Sequence, residues 1–178
     1  MNVKTEELLE KIFPPFQLGD NRSLLECDFY DTHYGYFDQI DDDYLSAISM
    51  SSEDLILKFG FDWPEFYLQA GLEAARSRSR PYEGVRTWKD VSYAYLSYFG
   101  QDCGCLSSEG FKFFLPAAIY HFLTTDQNKA YMDWFVFRLE SQWGKDNHVF
   151  NEAQKKFIIE FIKKYYKGDV SWIIDEKK

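Results

Sequence analysis

The amphipathic pattern between Asn151 and Gly168 constrains the fold more than any other feature of the chain. Asn151 and Gln154 form a box-like N-cap, and Gly168 is a natural C-cap. Between them, lysines oppose one apolar stripe at helical spacing, made of Phe157, Ile158, Phe161, Ile162, Tyr165 and Tyr166. Such a helix must bury its stripe against other elements, so the pattern predicts a helix-packed core.

Helical signals recur earlier in the second half of the chain. Thr87 is expected to cap a helix with Asp90 as its acidic partner and with an apolar face of Trp88, Val91, Tyr95, Leu96 and Phe99. Ser107 or Ser108 opens SSEGFKFFLPAAIYHFL, where Pro116 predicts a kink or a break into two short helices. Thr125 is expected to cap the next helix, with an apolar face of Tyr131, Trp134, Phe135 and Leu139.

The N-terminal third is less regular. A first helix is predicted from Thr5 to Phe13, ended by Pro14 and Pro15. Short strands are an option in the following segment, for example Leu24 to Phe29. We therefore expect a mainly α, single-domain, bundle-like fold over residues 1–178, with room for a minor β-hairpin near the N-terminus. Residues 1–60 form its acidic, less regular part and residues 61–178 its helical core.

The net charge of −9 is confined to the first sixty residues. They contain 13 Asp or Glu and 4 Lys or Arg, whereas residues 61–178 contain 16 of each. An acidic field repels nucleic-acid backbones and attracts basic partners. We therefore expect a protein partner, with a basic one favoured, and no nucleic acid.

Localisation is expected to be cytoplasmic. The N-terminus MNVKTEELLEKIF carries acidic residues where a signal peptide has basic and then apolar ones. The longest apolar stretch, Phe113 to Tyr120, is too short to cross a bilayer, so no membrane association is expected. Three cysteines are too few and too unevenly spaced for a disulfide framework.

No motif with catalytic or metal-binding chemistry stands out. Cys103 and Cys105 form one tight pair, whereas a zinc site needs about four ligands, so buried or loop thiols are the simpler interpretation. His121 lies among apolar residues and is expected to be a hydrogen-bonded core histidine. The triplet Asp41, Asp42 and Asp43 lacks the alternating ligands and central glycine of a calcium loop. We expect no cofactor, no metal and no enzymatic activity.

The segment from Glu26 to Tyr44 is both acidic and aromatic. It contains seven acidic residues, no Lys or Arg, and six Phe or Tyr residues. One interpretation is an ordinary loop whose rings enter the core. The other is a binding surface, with rings as anchors and carboxylates that steer a basic partner. The candidate partner-binding residues are Asp28, Tyr30, Asp31, Tyr34, Tyr36, Asp38, Asp41, Asp42 and Asp43.

The C-terminal half resembles an uncharacterised family of small bacterial proteins. The resemblance is carried by a Trp-bearing helix, a loop and a helix of the form Ser-x-x-Gly-Phe-x-Phe-Phe-Leu-Pro-Ala, here Trp88, Ser107, Gly110, Phe111, Phe113, Phe114, Leu115, Pro116 and Ala117. The later FNEAQKKFIIEFIKKYY is similar to that family's last helix. The resemblance implies no catalytic residues, because its signature is apolar. Small acidic proteins of this type are often suspected to be immunity proteins of toxin systems.

The function expected from these features is non-catalytic protein binding, with an immunity-type neutraliser of a basic toxin domain as the preferred form. A housekeeping or regulatory interaction protein is the first alternative. The second is a small enzyme whose site is assembled from scattered Asp, Glu, His and Tyr residues. A deep pocket lined by titratable groups with shifted pKa values would favour the enzyme.

Overall fold

The described part of the chain in the computed structural model is residues 3–25, 27–28 and 85–166. Its helices are α1 (Val3–Ile12), α2 (Tyr93–Phe99), α3 (Ser108–Thr124), α4 (Tyr131–Asp146) and α5 (Glu152–Tyr165). Three short 3₁₀ helices span Trp88–Asp90, Gly100–Cys105 and Asn147–Val149. The mainly α prediction is confirmed for these ranges, which contain no strand.

The centre of the described structure is α3. It is apolar around most of its circumference, as expected for a helix enclosed by others, and its residues 113–119 are buried without a gap. Contacts with α1, α2, α4 and the 3₁₀ helix Trp88–Asp90 cover it. Pro116 does not divide it, so the prediction of two short helices is wrong. Eight residues precede Pro116 in α3, so the proline lies inside the helix, where it has no N–H to donate to the preceding turn. The helix stays continuous there because the residues around Pro116 are buried on all sides.

Helix starts confirm several predicted caps. The Ser107 hydroxyl accepts a hydrogen bond from the Gly110 N–H at 3.0 Å. Asn151 and Gln154 exchange reciprocal bonds at 3.0 Å, which completes the predicted capping box of α5. Asp90 accepts from the Thr87 N–H at 2.8 Å.

Two predicted boundaries are wrong. The helix predicted from Thr87 is interrupted after Asp90, and α2 begins separately with Ser92 as its N-cap. Thr125 does not begin α4: it terminates α3, and its hydroxyl accepts from the Gln127 N–H at 3.2 Å. A threonine can end one helix or begin the next, because its hydroxyl can form hydrogen bonds to nearby backbone groups in either position. This ambiguity explains the error.

The N-terminal β-hairpin is not supported. Residues 24, 25, 27 and 28 are helical, and the Cys27 N–H donates to the Ser23 carbonyl at 2.9 Å. Leu24, Leu25 and Cys27 are buried. The apolar side chains that predicted a strand therefore belong to helical residues that pack against the core. The predicted boundary at residue 60 and the predicted C-cap at Gly168 lie outside the described residues.

Candidate functional site

Of the predicted partner-binding residues, only Asp28 lies within the described part of the chain. Asp28 has helical backbone conformation, like residues 24, 25 and 27, and is 7% exposed. The other candidates lie outside the described residues: Tyr30, Asp31, Tyr34, Tyr36, Asp38, Asp41, Asp42 and Asp43. Their role in binding stays a prediction.

A groove of about 720 Å³ lies between α1, the 3₁₀ helix Trp88–Asp90 and the end of α3. Its walls are more apolar than polar, and it is here called the polar groove only after the charged side chains that it contains. Its volume is in the range typical of small-ligand sites. The groove gathers two acidic side chains, Glu6 and Asp90, one basic side chain, Lys89, and the ring of His121. Its remaining lining is Trp88, Val91, Ser92, Tyr93, Tyr120, Thr124, Thr125 and Gln127.

Lys89 is held at the groove by two carboxylates of α1. Its Nζ lies 3.0 Å from Glu6 Oε1 and 3.2 Å from Glu10 Oε2. The hydrogen bond to Glu6, and next that to Glu10, raises the pKa of Lys89. The ammonium is therefore charged and engaged within the protein, which leaves it weakly suited to act as a base or nucleophile.

His121 is hydrogen-bonded, as the sequence predicted, but it is half-buried and does not belong to the core. Its Nε2 lies 2.7 Å from the Val91 carbonyl oxygen, so the N–H at Nε2 donates and Nδ1 carries the lone pair of the neutral ring. Burial lowers the pKa of His121, and the bond to Val91 opposes this in part. The imidazole is consequently neutral at pH 7, between the rings of Tyr93 at 6.4 Å and Tyr120 at 5.1 Å.

The acids of the groove are engaged as well. Asp90 Oδ2 accepts from the N–H groups of Arg86 and Thr87 and from the Thr87 hydroxyl, at 2.8–3.2 Å. Glu6 binds Lys89. The polar and aromatic walls of the groove are suited to holding a ligand. Its charged side chains, however, already form interactions that stabilise the fold.

The backbone at the cysteine pair binds a buried arginine, Arg138. Arg138 donates from Nη1 to the carbonyls of Cys103 and Leu106, the latter at 2.9 Å, and its guanidinium lies 4.5 Å from the centre of the Phe111 ring. Cys103 is buried and Cys105 is half-buried, and both are free thiols, which agrees with their interpretation as buried or loop thiols. Burial raises the pKa of Cys103 to about 12 against the opposing effect of Arg138. No cluster of three or more His, Cys, Asp or Glu suited to a metal ion occurs among residues 3–25, 27–28 and 85–166.

A second surface lies on the side of α4 that faces away from the core, here called the outer face of α4. Trp134 and Phe137 are 49% and 62% exposed there. The outer face also contains the exposed residues Asp133, Glu140 and Ser141. The sequence interpretation placed Trp134 in the buried stripe, and this is wrong. Tyr131, Phe135 and Leu139 are buried, but Trp134 lies at the flank of their stripe, next to the more exposed Phe137.

The signal for this surface was present in the sequence YMDWFVF. It holds six apolar or aromatic residues in seven positions, more than one helix stripe can bury. A helix that carries large rings on both sides must expose some of them or cover them with another element.

Comparison with known proteins provides no family for this chain. No protein-family model matches it, nor does any curated protein or solved structure. Within the described residues, no helix combines the length and the apolar character needed to span a membrane.

Proposed function

We propose that this chain is a non-catalytic protein-binding protein with a bundle-like helical scaffold, and that the outer face of α4 is one of its contact surfaces. The exposed pair of Trp134 and Phe137 is the observation that carries this proposal. Large aromatic side chains are enriched at protein interfaces, where they contribute contact area at low entropic cost. Leaving two of them in water on one helix face has a hydrophobic cost that a bound partner would remove.

We propose an immunity-type neutraliser of a basic toxin domain as the specific form of this function. The support is the net charge of −9 in residues 1–60, which favours a basic partner, together with the resemblance of the C-terminal half to small bacterial proteins. In this proposal the segment from Glu26 to Tyr44 is a second contact surface, which steers the partner by charge. The cytoplasm is the proposed compartment.

The first experiment measures partner binding directly. The wild-type chain, the double variant Trp134→Ala/Phe137→Ala and the control Tyr98→Ala are each used to capture proteins from the native host. Tyr98 is as exposed as Phe137, at 62%, but belongs to α2. We expect the wild type and the control to retain one specific protein that the double variant loses. Equal recovery by all three would contradict the proposal.

A second experiment tests the immunity form. The gene beside this one is expressed with and without this chain, and cell growth is followed. Protection is expected from the wild type and is reduced when Asp38, Asp41, Asp42 and Asp43 are changed to Asn. If those four changes left partner affinity and its salt dependence unaltered, electrostatic steering by this segment would be wrong. Binding without any toxin neighbour would instead favour a housekeeping or regulatory interaction protein.

A small enzyme is the second candidate, and the polar groove favours it. Glu6, Lys89, Asp90 and His121 meet there, and two of these groups have shifted pKa values. Glu6 and Lys89 pair with each other, Asp90 binds Arg86 and Thr87, and His121 binds the Val91 carbonyl, so binding is a simpler role for them than catalysis. A small-molecule library screened by thermal shift against the wild type and His121→Gln tests this candidate. A ligand that stabilises only the wild type, followed by its chemical conversion, would establish it.

A further inference from the structure

The outer face of α4 has one acidic edge. Trp134 and Phe137 are three residues apart, so their side chains adjoin on the helix surface, and Ser141 continues the same stripe one turn further. Asp133 and Glu140 are two turns apart and follow one edge of this stripe. Lys145 lies along the other edge. The rings are therefore bordered by carboxylates on one side only.

The position of one carboxylate on this edge is fixed by a hydrogen bond. The hydroxyl of Tyr166, at the end of α5, donates to Asp133 Oδ1 at 3.1 Å. Asp133 is nevertheless exposed, as is Glu140. An exposed carboxylate next to an apolar anchor contributes mainly specificity and association rate, because its Coulomb interaction is weakened by water.

We infer that the outer face of α4 binds a segment that presents apolar side chains to Trp134 and Phe137 and Lys or Arg side chains to Asp133 and Glu140. This rests on the proposed function and adds the chemistry of the partner. The apolar contacts supply most of the affinity, since they remove exposed ring surface from water. The basic side chains set the orientation, because only one edge of the stripe is acidic.

A second copy of this chain fits the face less well. The two-fold axis of an antiparallel helix pair lies between the helices and keeps each edge on its own side. Asp133 and Glu140 of both copies would then share one edge of the interface. Like charges placed side by side oppose association, and each copy carries a net charge of −9. The same carboxylates attract a basic partner.

Two designed helical peptides of about four turns, or ~15 residues, probe this chemistry. Both carry the same leucine stripe; one has lysines two turns apart along its edge and the other has glutamates. Each peptide is labelled with a fluorophore, and its anisotropy is followed as full-length protein is added at low and at high salt. We expect the lysine peptide to bind at least about tenfold more tightly than the glutamate peptide, a difference of ~1.4 kcal/mol, and to lose most of that preference at high salt.

Variants locate the bound peptide on the protein. Trp134→Ala/Phe137→Ala is expected to lower the affinity for the lysine peptide by about tenfold or more, whereas Tyr98→Ala leaves that affinity unchanged. Asp133→Asn/Glu140→Gln is expected to reduce the preference for the lysine peptide over the glutamate peptide. The affinity that the shared leucine stripe contributes should remain. Circular dichroism confirms that each variant is folded, which is expected because every substituted side chain is exposed.

Several results would overturn the inference. Equal affinity for both peptides that still depends on Trp134 and Phe137 would exclude a basic partner but leave protein binding intact. No binding of either peptide, or lysine-peptide binding that neither double variant weakens, would exclude this face as its site. A dimer in sedimentation that Trp134→Ala/Phe137→Ala dissociates would identify the occupant as a second copy.

Discussion

Arg138 and Asp146 form an ion pair inside the protein, with Nε of Arg138 2.8 Å from Oδ2 of Asp146 and side chains that are 1% and 0% exposed. Asp146 also accepts from the Ser108 hydroxyl at 2.7 Å, which ties the end of α4 to the start of α3. Nη1 of Arg138 donates to the Cys103 and Gly104 carbonyls at the end of the 3₁₀ helix Gly100–Cys105, and Nη2 donates to Oδ1 of Asp146 at 3.2 Å. The ion pair thus joins three elements, and its guanidinium adds hydrogen bonds at the end of a 3₁₀ helix, where carbonyls have few donors.

Removing this arginine should destabilise the protein strongly. Arg138→Met leaves the Asp146 carboxylate buried without its counter-ion, so we expect the free energy of unfolding to fall by about 3–5 kcal/mol in urea denaturation. Lys156→Met is the control, because Lys156 and Glu160 form an exposed pair 4.0 Å apart. It should change stability by less than about 0.5 kcal/mol. Equal losses in the two variants would contradict the structural role of Arg138.

Gly100 is required by close packing and not by backbone conformation. It has φ −64°, which any residue can adopt, but a Cβ there would lie 2.9 Å from the Cβ of Tyr131. Gly100→Ala should therefore lower the free energy of unfolding by about 1–3 kcal/mol. Gly104→Ala, in the same 3₁₀ helix, meets no atom within 4 Å and should be nearly neutral. Identical denaturation midpoints for both variants would show that α4 can shift away from Gly100.

His121 should make stability fall on mild acidification. The unfolded chain binds a proton at this ring near the ordinary pKa of 6.5, whereas burial lowers the pKa in the folded state. The unfolded state therefore binds more protons in the window below about pH 6.5, and the stability contributed by neutral His121 is lost as the pH falls through it. Urea denaturation at pH 7.5 and 5.5 should show a smaller pH dependence for His121→Gln than for the wild type. His148→Gln, at an exposed histidine, is the control; equal pH dependence in all three proteins would rule out this role.

Cys103 should be chemically inert in the folded protein. The thiolate is the reactive form, and burial raises the pKa of Cys103 to about 12. Alkylation by iodoacetamide at pH 8, followed by mass spectrometry of the peptides, should modify Cys103 far more slowly in buffer than in urea. Rates at Cys103 that are the same under both conditions would mean that this region opens readily in the native state.

Local signals in the sequence predicted local structure well. Ser107, Asn151 and Gln154 cap helices as expected, because a cap depends on residues within one turn. The continuous apolar run of residues 113–119 is the buried centre of the fold. Predictions failed where two local roles compete, as at Thr125, which ends one helix and does not start the next.

The candidate surfaces were harder to predict, because they depend on which helix faces meet. Arg138 and Asp146 share a helix face with the buried Tyr131 and Phe135. The sequence alone does not show that this face is covered by other helices, so it could not predict that the two charged residues form a buried pair. The polar groove brings Glu6 next to Lys89, which is remote in sequence. The outer face of α4 follows from an excess of rings that a single stripe cannot bury.

The affinity of the captured partner for the wild type and for Trp134→Ala/Phe137→Ala, measured by isothermal titration calorimetry, tests the central claim most directly. We predict that the double variant binds at least about tenfold more weakly, a loss of ~1.4 kcal/mol or more. Its free energy of unfolding should fall much less than for a core substitution, because Trp134 and Phe137 are 49% and 62% exposed. Unchanged affinity, or a loss of stability as large as that of a core substitution, would contradict the assignment of the outer face of α4 as a binding surface.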